Sequence, residues 1–311
     1  MADNLAHTEA GRGVRRYWSV EPLSDDRPFY GIVFFCIAIL LTAAVDANSK
    51  FLSADLHPLQ VVWGYFAAAL LFVVITAVVR RMPLQQVCWT ARAPLQLLRA
   101  GLLMITISTL FASLKFMPIT DVTAITFASP LFVAAMSGLV LGERVGIHRW
   151  TAVVVGMIGV LIVIRPGSGV VQWAVLLPLV SAFGFGTFQM VTRRLASTEP
   201  TFVTLFYTSI GCAVMASGLV FFFWTPLDWG QAVGLLGLGA MGAGAHFFFI
   251  RAFEKAEASL LAPFNYTKLI WVILFGYILF GETPTPQVLL GSVVIITSGF
   301  YVLMRERRAA R

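Results

Sequence analysis

The sequence predicts an all-α, polytopic membrane fold of ten transmembrane helices, set as two five-helix repeats of opposite orientation. Three observations carry this reading. Of the 311 residues, 59% are hydrophobic and only 12% charged, with a mean hydropathy of +0.85. A soluble domain of that length could not cover so much apolar surface with so few charges. The apolar residues gather into ten runs of about 17–25 residues, the length that crosses a hydrocarbon core as a helix. The second half of the chain also weakly repeats the first.

Residues 1–28 are polar and mixed in charge and are read as a disordered cytoplasmic tail. Arg15 and Arg16 are followed by the acidic "EPLSDD" rather than by a short apolar segment with a small-residue cleavage site, which argues against a cleaved signal peptide. The runs then cover 29–49, 58–79, 97–116, 119–141, 147–164, 172–192, 201–224, 230–250, 259–280 and 287–304. The links are short and often carry Pro, Gly or charge: "KFMPITD" after the third run, "RPGSGVVQ" after the fifth, "WTPLDWG" after the seventh and "GETPTP" after the ninth. Spans of this length in lipid are helical, because a helix satisfies its own backbone polar groups. The first repeat covers 29–165 and the second 166–304, with 305–311 a basic cytoplasmic tail.

Orientation follows from the Lys and Arg residues, 22 in all. With the N-terminus inside, the inner segments hold Arg12, Arg15, Arg16, Arg27, Arg80, Arg81, Arg92, Arg99, Arg144, Arg149, Arg193, Arg194, Arg251, Lys255, Arg305, Arg307, Arg308 and Arg311. The outer side keeps Lys50, Lys115 and Arg165, and Lys268 stays within a span. Both termini are therefore expected in the cytoplasm, with the chain in the cytoplasmic (inner) membrane. Because the net charge of +7 lies along one rim rather than in a patch, nucleic acid is not an expected partner.

"LVLGE" at 139–143 recurs as "ILFGE" at 278–282, an offset of 139, and "HPLQVVWGY" at 57–65 resembles "EPTFVTLFY" at 199–207. Five spans per half is an odd number, so the second half enters the membrane inverted. Inverted repeats place a binding site near the midplane between the halves and supply alternating access. The stretches "ASLKFMPITDVTAITFASPLFVAAMSGLVLGERVGIHRWTAVVVGMIGVLIVIRPG" and "ASLLAPFNYTKLIWVILFGYILFGETPTPQVLLGSVVIITSGFYVLMRERR" resemble the two repeats of the drug/metabolite transporter superfamily, EamA type. The resemblance implies ten helices, cytoplasmic ends and a central cavity lined by both repeats. It implies a secondary transporter of a small polar metabolite. "LLAPFNYTKLIW" looks most like members that take up vitamins or nucleoside-like metabolites of the riboflavin or S-adenosylmethionine type; export of amino acids, metabolites or drugs is the alternative within the superfamily. Relatives often carry an Arg after the Trp of the second span, whereas this chain reads "VVWGYF", so no contact of that Arg is carried over.

Lys268 leads the candidate residues. It lies about halfway along its span, where insertion scales put a lysine at about 2.5–3.5 kcal/mol unfavourable. Asn265 is three residues earlier on the same face. Contact with an anionic solute, or proton coupling through a shifted amine, is one reading; an ion pair with Asp46, or snorkelling to an interface, is the other. Asp46, with Thr42, Ser49 and Lys50 on its side of the first span, could bind a cation or relay a proton, or pair with Lys50 four residues on. Trp63, Tyr65, Thr126, Gln189, Tyr207, Tyr266 and Trp271 are candidate substrate contacts by stacking and hydrogen bonding; Thr123 and Ser129 mark the fourth span along with Thr126. His246 is a possible proton-coupling group or a packing histidine in a Gly-rich span. Glu143 and Glu282, each after a helix-ending Gly, read as gate or loop anchors.

Neither catalytic residues nor a cofactor are expected. His7, His57, His148 and His246 are dispersed, Cys36, Cys88 and Cys212 lie far apart without metal spacing, and no HExxH or nucleophile elbow occurs. Partners are a small-molecule solute and the bilayer; oligomeric state is not readable from the sequence.

Overall fold

A computed structural model describes residues 28–79, 81, 90, 92–133, 135, 147–165, 173–196, 199, 201–256 and 261–309. The tail at 1–27, Cys88, Arg144 and Glu143 lie outside the described residues, as does the reading of that tail as disordered. Ten α-helices and no strand occur among the described residues. They are α1 (Pro28–Leu52), α2 (Pro58–Val79), α3 (Ala93–Phe116), α4 (Ile119–Thr126), α5 (Ile147–Ile164), α6 (Leu176–Ala196), α7 (Thr201–Val220), α8 (Trp229–Lys255), α9 (Lys268–Phe280) and α10 (Pro286–Ala309). By length and composition α1, α2, α3, α7 and α8 are each able to cross a membrane, and shorter apolar helical stretches account for the other five.

Local chemistry fixes several ends. At α8, Asp228 accepts from Gln231 N at 2.7 Å while Gln231 Oε1 accepts from Asp228 N at 3.1 Å, a reciprocal capping box. At the end of α9, Gly281 adopts φ 66°, the left-handed geometry that a Cβ disfavours, and its N–H bonds to Tyr277 O at 3.0 Å.

The main helix pairs follow the symmetry of an inverted repeat, although some lesser ones, such as α2/α3 and α4/α10, lack an equally packed image among the described residues. Exchanging the halves turns α1 into α6, α2 into α7, and so on. The pairs α2/α7, α5/α10 and α4/α9 are their own images. The pairs α1/α8, α2/α8 and α1/α9 have the images α6/α3, α7/α3 and α6/α4, and all of these are packed.

The two fourth helices depart from regularity at matched places. The fourth span is not one continuous helix: α4 ends at Thr126, Phe127 and Ala128 form a turn, and helix resumes at 129–133. Pro130 has no N–H to return to Thr126, and Ala128 N bonds instead to Ile125 O at 3.0 Å, a tightened turn. The ninth span is broken too: Ala262–Thr267 is 3₁₀, and α9 proper begins at Lys268. Phe127 and Tyr266, related by the 139-residue offset, meet edge to face with centroids 5.4 Å apart. The pseudo-twofold axis passes beside this contact, where both spans are irregular.

The Gly-rich stretch of α8 packs on α1 and α2. A Cβ on Gly239 would sit 2.0 Å from Ala68 Cβ, and one on Gly242 2.6 Å from the Tyr65 ring. Gly239→Val is therefore expected to force α8 off α2 and lower the melting temperature of the detergent-purified protein by several degrees, because overpacking costs about 1–3 kcal/mol or more. Gly218→Ala, where nothing lies within 4 Å, should leave the melt unchanged or slightly raised. Equal melts for the two variants would contradict the close α2/α8 approach.

Candidate functional site

Lys268 opens α9 where the 3₁₀ segment gives way to α-helix, and its Nζ stands 2.6 Å from Asp46 Oδ2 of α1. The Lys268 side chain keeps 18% of its surface exposed and that of Asp46 6%. The ion pair with Asp46, one of the two readings of Lys268 from the sequence, is formed, and it bridges the two halves. A discontinuous span with a charge at the break is how transporters present ligating groups at depth. By the same offset the image of Lys268 is Ser129, 4% exposed, whose Oγ has no hydrogen-bond partner among the described residues. The charge pair is therefore not duplicated in the first half.

One aromatic ring is tied to the pair, and two more flank Lys268 in sequence. Tyr65 of α2 lies within electrostatic reach of Asp46, edge-on to Phe111 at 5.8 Å and against Gly242. The Tyr266 hydroxyl rests against Gly299 of α10, and Trp271 packs partly buried on the core. Asn265 is exposed, and in a 3₁₀ turn residues three apart eclipse, so it stays on the Lys268 face even though its segment is not α-helical.

The remaining candidates are spread out. Trp63 donates from Nε1 to Ser217 Oγ at 3.0 Å and meets Trp224 edge-on, tying α2 to α7. Thr126 and Thr42 donate to their own helix backbone, at Thr123 O and Ile39 O, so these hydroxyls are satisfied locally. Thr123 is buried, Gln189 is exposed on α6, and Tyr207 is partly buried on α7. His246 is exposed on α8, within electrostatic reach of Arg99. His57, in the loop before α2, stacks on the Phe223 ring at 4.3 Å; burial, then the nearby Lys115 charge, lowers its pKa from the usual value. Among the described residues no three His, Cys, Asp or Glu side chains gather as metal ligands.

One reading is corrected. Lys50 does not pair with Asp46 one turn away. Its Nζ bonds to Glu282 Oε1 at 2.7 Å and donates to Met117 O at 2.7 Å, while Glu282 Oε2 accepts from Ile119 N at 3.0 Å. Lys50 lies near the end of α1, and there its ammonium reaches a long-range carboxylate and an open helix-end carbonyl instead. Beside this clamp Arg165 faces Asp121 at 3.9 Å and hydrogen-bonds Thr285. Together these contacts close one rim of the bundle across the two halves. Of this network the sequence singled out Glu282 as a gate or loop anchor but not its partners, and it did not single out Arg99. Arg99, counted there with the rim charges, is only 7% exposed inside α3.

Comparison with known proteins gives the family of the chain. The model of the EamA-like transporter family matches residues 29–165 and 172–304. The S-adenosylmethionine uptake transporter of Rickettsia conorii is 26% identical, over 90% of this chain and 94% of that protein. The riboflavin transporter of Vibrio cholerae is 29% identical, over 91% of this chain and 96% of its own length. A solved crystal structure with 16% identity superposes with a TM-score of 0.59, covering 90% of this chain and 99% of that one; at such identity the likeness speaks to fold alone.

Proposed function

The chain belongs to the EamA-like transporter family, and we propose that within it this protein takes up a small, polar, ring-bearing metabolite through the Lys268–Asp46 site. The observation that carries this reading is the ion pair joining the two halves at the break of the ninth span. The names of the two relatives support the substrate class, an S-adenosylmethionine or riboflavin type of solute.

In the proposed cycle the ammonium and carboxylate satisfy each other while the site is empty. An arriving solute replaces each partner with its own polar groups. A zwitterionic solute of the S-adenosylmethionine type can do so without leaving either buried charge uncompensated; a neutral ring of the riboflavin type would instead bind with the pair intact, by hydrogen bonds and stacking. Tyr65, Tyr266 and Trp271 offer rings for stacking and Asn265 a polar contact. Thr126, Gln189, Tyr207 and Trp63 are outer contributors, and Asp46, Lys268 and His246 are the groups through which protons would couple. Rocking of one half against the other then exposes the site to each side in turn. Glu282, and Glu143 at the opposite end, anchor the gates.

The proposed orientation puts both termini in the cytoplasm and the Lys50–Glu282 rim outside, in a cytoplasmic membrane. The balance of Lys and Arg supports it. The test is flux in reconstituted vesicles offered labelled S-adenosylmethionine and riboflavin in turn, with a proton gradient imposed or collapsed. Accumulation of one of them above empty vesicles is expected. Movement of neither would remove the assignment of substrate class.

A further inference from the structure

We propose that Arg99 is a second ligand-binding residue, an oxyanion site between α3, α6 and α7 that takes a carboxylate or phosphate group apart from the Lys268–Asp46 pair. Three other cations at the site and the clamped rim have a carboxylate: Lys268 faces Asp46, Lys50 faces Glu282 and Arg165 faces Asp121. Arg99 is the most buried of the four, at 7% exposure, and no carboxylate among the described residues lies within ion-pair distance. Buried charges are ordinarily paired, and an ionisable group at membrane depth marks a ligand or ion path by default.

Its neighbours orient the guanidinium without neutralising it. Nε donates to Thr192 Oγ1 at 2.7 Å, and NH1 donates to Thr208 Oγ1 and to Thr204 O at 3.4 Å. Both hydroxyls spend their own protons on their helices, Thr192 on Phe188 O at 2.7 Å and Thr208 on Thr204 O at 2.6 Å. Only their lone pairs therefore face the arginine. The Phe188 ring covers one face, 4.4 Å from Cζ. The two N–H groups of NH2 have no partner among the described residues, and through them the delocalised charge is open to whatever stands before them. Gln96, fully buried, donates to Thr204 Oγ1 at 3.2 Å, and its Oε1 has no partner among the described residues. Planar donors of this kind suit the two oxygens of a carboxylate or phosphate.

The test uses the full-length protein in detergent. Inorganic phosphate is compared with chloride at equal ionic strength, and phenylglyoxal modification of each arginine is read by mass spectrometry. Phosphate is expected to slow modification of Arg99 several-fold while leaving exposed Arg251 unchanged, and to do so equally in Lys268→Ala. It should also raise the melting temperature by a few degrees in the wild type and not in Arg99→Gln. A parallel arm with short-chain phosphatidylglycerol separates the sources: protection by phosphate points to a soluble solute, and protection by the lipid alone to a headgroup. No protection by either, an Arg99 that never reacts, equal protection at Arg251, or protection lost in Lys268→Ala would overturn the proposal. Because protection is read in the wild type, it stands whether or not Arg99→Gln folds, and it is independent of transport through Lys268.

Discussion

Lys268→Ala brings uptake in reconstituted vesicles down to the level of empty vesicles, while the protein still reaches the membrane. Two effects combine in that variant. The solute loses its cationic contact, and Asp46, 4% exposed, is left as a buried carboxylate with no partner. Removing one member of a buried pair costs about 3–5 kcal/mol, so the melting temperature of Lys268→Ala should fall as well. Asp46→Ala should behave alike from the other side. The double variant separates stability from function. With both charges gone no buried ion is left over, so stability should recover most of the loss, a strongly non-additive cycle. Flux should stay at background. A double variant that regains both stability and transport would make the pair a structural tie and nothing more.

Glu282→Ala is expected to loosen the rim at which the halves are clamped. The carboxylate holds Lys50 at 2.7 Å and caps Ile119 N at 3.0 Å, so its removal strands an ammonium 14% exposed and an open helix N–H. Losses of this kind amount to about 1–3 kcal/mol, or up to roughly a hundredfold in the balance between closed and open rims. A cysteine in the 117–118 turn should then react faster with an impermeant thiol reagent, and net uptake should fall about tenfold as the closed state becomes rarer. The exchanged pair, Lys50→Glu with Glu282→Lys, should recover part of the flux because it restores the attraction. Unchanged reactivity and flux in Glu282→Ala would mean that the contact does not gate.

The fold was legible because its physics is one-dimensional: ten apolar runs, charges left between them, and "LVLGE" returning as "ILFGE" upside down. Lys268 and Asp46 were legible for the same reason, as charges where hydrocarbon is expected. Their pairing was one of the readings that the sequence offered, whereas the partner of Lys50 was not. Lys50 sits one turn from Asp46, a spacing that suggests a local pair, yet its carboxylate comes from the far end of the chain after both repeats have folded. Arg99 escaped notice because a cation a few residues into a span looks like one more rim charge; only the approach of α6 and α7 buries it among threonines. The break in α4 had a sign in Pro130, but the 3₁₀ turn before Lys268 reads like the rest of an apolar run, since its Pro263 falls near the segment's start.

The central claim is that the face of the ninth span bearing Lys268 lines an aqueous passage between the halves. Asn265→Cys tests it most directly, in a background with Cys36, Cys88 and Cys212 replaced, because position 265 shares that face and leaves the ion pair intact. An impermeant methanethiosulfonate should label it in intact vesicles, transported solute should slow the reaction, and a cysteine at the exposed apolar position Ile270 should stay unlabelled. A cysteine at 265 as inert as one at 270, or labelled at a rate that the solute leaves unchanged, would contradict the account.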